Sequence, residues 1–173
     1  MIHLSKRNLL IFLLGPWILL PVHAERGKDI LGSVTVTVVH ASNEDSPGPM
    51  AKFKKLDAKM SERMAKDTHL KFAHYRQLGI DDKPLYRSYE NWAQPLSPSD
   101  EILVRFEAQA RPSKDVTRLD VELWLSKKKV LKSGTALSAG APLFVLGPEW
   151  RNGKLIIIIS LAHFKTPVFD KSQ

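Results

Sequence analysis

The sequence predicts an α+β fold, with one long amphipathic helix packed on a mainly antiparallel, curved sheet of about seven to eight strands. Three observations carry that expectation. Residues 50–66 place Met50, Phe53, Leu56, Met60 and Met64 on one helical stripe. Residues 101–110 and 117–126 alternate apolar with polar side chains, the pattern of strands with one buried face. Residues 33–41 and 154–162 are apolar on both faces, the pattern of strands covered on both sides.

The elements follow in chain order. Residues 1–24 read as a signal peptide: Lys6 and Arg7 precede an apolar run from Leu9 to Leu14, and Val22, His23 and Ala24 form the exit. Gly15-Pro16 and Pro21 interrupt that run, which is short of the roughly 20 apolar residues a spanning helix needs. Residues 25–32 are a polar lead-in. The β-branched run at 33–41, with Val34, Val36 and Val38 on one side, predicts the first strand. Turn formers at 43–49 predict a loop before the helix.

Past the helix, residues 71–78 predict a strand that Gly79 and the Asp81-Asp82-Lys83-Pro84 turn bring to an end. A weaker strand pattern covers 85–92, and 94–100 is a loop. The alternating pair at 101–110 and 117–126 pivots on Pro112 to Asp115, and its register leaves Arg105 facing either Glu122 or Trp124. Lys127, Lys128 and Lys129 form a turn before a strand at 130–137. A short strand at 143–146 stops at Gly147, and Asn152-Gly153 signals a hairpin because both residues tolerate positive φ. The run Leu155 to Ala162 then fills the middle of the sheet, beside 33–41 and beneath the helix. The folded unit spans 33–165, and 166–173 is a C-terminal tail.

Composition narrows the chemistry. The chain has no cysteine, which excludes disulfides, thiol nucleophiles and thiolate metal sites. Removing the leader leaves 24 basic residues of the 26 against 18 acidic, a net +6. A basic exported protein favours anionic partners such as envelope polysaccharide, lipid head groups or an acidic protein face, rather than nucleic acid.

The predicted helix concentrates this charge. Lys52, Lys55, Lys59, Arg63 and Lys66 fall side by side on the helical wheel, next to Glu62, the layout of a face that meets an anionic surface. The competing reading is a solvated face whose lysines pair with Glu62. Trp124 stands on the polar face of its strand, either packed structurally or exposed as an aromatic contact. His40, followed by Ser42, Asn43, Glu44 and Asp45, is the best candidate for a hydrolytic or metal-assisted site. No nucleophile elbow, phosphate loop or zinc motif accompanies it, and His69 and His74 share no face. Asp81-Asp82 has too few spaced oxygens for calcium. No catalytic, cofactor-binding or metal-binding residue is therefore assigned.

The resulting expectation is an exported, non-enzymatic binding module of a bacterial-type cell envelope, holding an anionic surface or acidic partner on the basic helix face. The alternatives are an enzyme centred on His40 and the 43–45 loop, or a carrier of a small apolar ligand.

Overall fold

The computed structural model describes residues 28–44, 50–113 and 115–164. The expected leader at 1–24 and the expected tail at 166–173 lie outside the described residues. Strands occupy 63% of the structure and helix 6%, so the fold is mainly β, and the predicted long helix on a single sheet is not formed.

The strands are β1 (Ile30–Ser42), β2 (Lys54–Lys55), β3 (His74–Tyr86), β4 (Asn91–Ala93), β5 (Ile102–Ser113), β6 (Val116–Leu125), β7 (Lys128–Ser138), β8 (Leu143–Trp150) and β9 (Gly153–Phe164). They make two antiparallel sheets, one in the order β2-β3-β1-β9-β8 and one in the order β4-β5-β6-β7. The helix α1 is short, Ala58–Met64.

Period-two side chains explain why the sheets pack face to face. Val34, Val36 and Val38 of β1 and Leu155, Ile157 and Ile159 of β9 share one buried cluster with Ile102, Val104 and Phe106 of β5 and Leu119, Val121 and Leu123 of β6. All twelve are essentially sealed from solvent, and this shared core is the strongest apolar contribution to the fold. The amphipathic pair thus belongs to a second sheet packed over the first, where the sequence predicted a single sheet.

A second cluster lies on the opposite face of the five-stranded sheet. Val39, Ala41, Ile156 and Ile158 are buried there beneath Met64, Leu70 and Tyr75, with Leu56 and Met60 alongside. This explains both doubly apolar strands, which pair with each other as expected: Val36 faces Ile159 and Val38 faces Ile157. The consecutive Val38 and Val39 are both buried because the pleat points one into each cluster.

The helix prediction fails for a geometric reason. Its apolar stripe serves two different cores: Met50 and Phe53 pack into the core between the sheets, whereas Leu56, Met60 and Met64 pack on the outer cluster. One straight helix cannot reach both. The chain instead turns at 50–52, pairs Lys54 and Lys55 with Gln77 and Arg76 of β3, and starts α1 at Asp57. The Asp57 side chain accepts a hydrogen bond from the Met60 N–H at 3.2 Å, a true N-cap inside the predicted helix.

The 79–84 turn is also absent. Strand β3 runs unbroken through Gly79 and Pro84, with Asp82 opposite Thr35 and accepting the Thr35 hydroxyl hydrogen bond. Pro84 is tolerated because β2 covers only Gln77 and Arg76, leaving the rest of β3 as an edge. Gly79 is required by a close approach: a Cβ there would lie 1.9 Å from the Pro95 carbonyl oxygen.

Candidate functional site

The segment covering the five-stranded sheet carries a marked excess of basic over acidic residues. Residues 50–76 contain eight Lys or Arg against three Asp or Glu. Two of those three acids serve the backbone, since Asp57 caps α1 and Asp67 accepts from the His69 N–H at 2.9 Å. Lys52, Lys54, Lys55, Lys59, Lys66 and Lys71 are exposed and make no ion pair among the described residues. Glu62 pairs with neither Lys59 nor Lys66 there, so the internally neutralised version of this face does not form.

The five predicted contact residues are near one another but not on one helix face. Lys59 and Arg63 lie on α1, one turn apart, beside a cleft of about 250 Å³ that reaches Gly140. Arg63 Nη1 donates to the Gly140 carbonyl at 3.2 Å. Lys55 lies on the other side of α1, at a second depression of about 350 Å³ with His74, Tyr75 and Arg76. Lys52 sits in the preceding turn with its ammonium 5.3 Å from the Phe53 ring centre, and Lys66 follows the helix. The cations therefore form a two-sided ridge. Lys54, opposite Gln77 on β2, and Lys71 are further exposed lysines of the same segment that the predicted helix face did not include.

The outer face of the other sheet is neutralised internally. Arg105 faces Glu122 across β5 and β6, which decides the register in favour of the salt bridge. Arg105 Nε donates to Glu90, Nη2 to Glu107 at 2.7 Å, and Nη1 lies 3.8 Å from Glu122. Lys129 and Lys132 reach the same Glu122 oxygen at 3.3 and 3.8 Å. Burial pushes the Glu122 carboxyl up, but hydrogen bonds from Trp124 and Lys129 and the nearby cations outweigh it and hold its pKa below the ordinary glutamate range. Hydrogen bonds from Arg105 and Trp92 lower Glu90 in the same sense.

Trp124 belongs to this network. Its indole N–H donates to Glu122 at 3.0 Å, its ring lies 5.7 Å from that of Trp92, and Lys129 stands 5.4 Å from its centre. A half-buried indole with its donor satisfied has a structural occupation, so the geometry does not single it out as an aromatic contact.

His40 also has a structural occupation. It is 2% exposed, its Nε2 lies 3.3 Å from the Arg151 carbonyl, and its ring meets Trp150 edge-on at 6.0 Å. No carboxylate or hydroxyl reaches it among the described residues. Asn43 accepts from the Ala73 N–H at 3.2 Å, and the Glu44 carbonyl accepts from Ser42 Oγ at 2.7 Å, so this loop ties down backbone. Asp45 lies outside the described residues. Among the described residues no group of three His, Asp or Glu is placed to hold a metal, and no helix is long and apolar enough to cross a membrane.

Fold and site together define a cysteine-free, two-sheet β structure with a basic cover on one outer face. No family model, curated protein or solved structure matches the chain.

Proposed function

We propose that this protein is an exported binding module of a bacterial-type cell envelope, and that it holds an anionic partner on the basic cover formed by residues 50–76. The observation that carries this reading is the charge asymmetry between the two outer faces. On the β5–β6–β7 face, Glu90, Glu107 and Glu122 occupy the cations beside them. On the cover, six exposed lysines have no carboxylate partner among the described residues. Clustered like charges raise the local potential and cost stability through repulsion, which an anionic surface relieves. The leader-like N-terminus supplies the compartment.

Retention on an anionic resin tests the reading. Reversing Lys52, Lys55 and Lys66 to Glu lowers the salt needed for elution more than reversing Arg118, Lys127 and Lys128, which are also exposed. Both triple variants change net charge equally, so equal losses would show bulk charge acting rather than the cover. Thermal melts confirm that each variant folds.

A further inference from the structure

The cleft beside α1 sharpens the reading above, on which this inference rests, by naming a ligand class. Its apolar surface comes from Met60, Ala141 and Pro142, and its rim carries Lys59 and Arg63. Those two cations are four residues apart on α1, so their heads emerge on the same side. The Arg63 bond to the Gly140 carbonyl draws the guanidinium across the gap between helix and loop. Its other N–H groups meet no acceptor among the described residues. Asp57 is the one adverse charge in the lining, and its Oδ1 is engaged by the Met60 N–H.

We propose that this cleft binds a single-chain aliphatic carboxylate, with the head group on Lys59 and Arg63 and the first carbons against Met60, Ala141 and Pro142. The charge match selects the head, because the free edge of a guanidinium accommodates two carboxylate oxygens. The apolar lining selects a hydrocarbon next to it. At about 250 Å³ the cleft is smaller than the roughly 300–1,000 Å³ of sites that enclose a whole ligand. It therefore takes the head and the start of the chain, and the remaining carbons lie along the protein surface.

The test is titration of the protein with decanoate below its micelle concentration, followed by calorimetry. Decanoate binds at a single site, while acetate and decanol each bind at least about tenfold more weakly, since each lacks one half of the match. Lys59→Gln with Arg63→Gln weakens decanoate by a similar factor. Ala141→Trp, which fills the cleft and keeps every charge, removes decanoate binding and leaves retention on the anionic resin unchanged. Decanoate binding that survives both variants, or decanol binding as tightly as decanoate, overturns the proposal. So does a wild-type protein that is held by the resin yet takes up no decanoate, and in that case the basic cover still stands as the binding surface.

Discussion

Gly153 illustrates how a residue read correctly for its type can be needed for another reason. The sequence presents Asn152-Gly153 as a turn that exploits positive φ. In the structure the turn residues are Arg151 and Asn152, with φ of 48° and 61°, and Gly153 already pairs with Trp150. Its missing side chain serves packing: a Cβ would fall 2.3 Å from His40 Nε2 and 2.6 Å from the Ala41 carbonyl oxygen. Gly153→Ala should therefore destabilise by roughly 1–3 kcal/mol, the ordinary cost of overpacking. Gly134→Ala, whose Cβ would have 3.4 Å to Asp120 Oδ1, should stay within about 0.5 kcal/mol. Chemical denaturation of both variants checks the contrast, and equal effects would mean that His40 has room to move. The same geometry explains why His40 looked like chemistry from sequence. A histidine at the end of a buried strand is visible in one dimension, but the hairpin that covers it is contributed by residues far along the chain.

At the scale of elements, strands were far more legible than the helix. Alternation over residues 101–110 and 117–126 needs only local spacing, and both strands appear with Ile102, Val104 and Phe106 inward as read. The helical stripe over 50–66 was real as a pattern but divided between two cores, a property of the third dimension. Asp57 was the available signal for the true start of α1, masked by an apolar period that continued through it. The candidate site was legible to a similar degree: Lys52, Lys55, Lys59, Arg63 and Lys66 share one region, but their arrangement depended on the helix that did not form. Cross-strand pairing on the other sheet yields a pH prediction. Glu122 titrates below its ordinary range in the folded state, so the stability it contributes is complete above that range. That contribution is lost as pH falls from about 4.3 through the lower folded value. Glu122→Gln should consequently lower the denaturation midpoint at pH 7, and its difference from the wild type should be smaller at pH 3. A variant that differed equally at both pH values would place its effect in packing rather than charge.

The molecule as a whole manages its open sheet edges unevenly. Edge strand β7 carries Lys128, Lys129 and Lys132, and β2 is a pair of lysines, charges that discourage unwanted pairing with another chain. Edge strand β8 opens instead with the apolar sequence Leu143-Phe144-Val145-Leu146, and Leu146 is 36% exposed. Pro148 and the irregularity between Leu146 and Glu149 are its only interruptions among the described residues. Leu146→Lys should slow concentration-dependent turbidity on heating without lowering the melting temperature appreciably, as light scattering during a thermal ramp would show. Turbidity that rises at the same rate would place the association elsewhere.

The pairing of β1 with β9 has a consequence in time. Val36 finds Ile159 as its neighbour, so β1 waits for hydrogen-bonding partners that lie more than a hundred residues further along the chain. Until they emerge, the valines of β1 have only β3 on one flank, and a chain released before Leu155 should remain an unfolded, protease-sensitive polymer. Closing so wide a loop makes for slow folding, and the first half of the polypeptide stays pliable until its distant partner strand arrives.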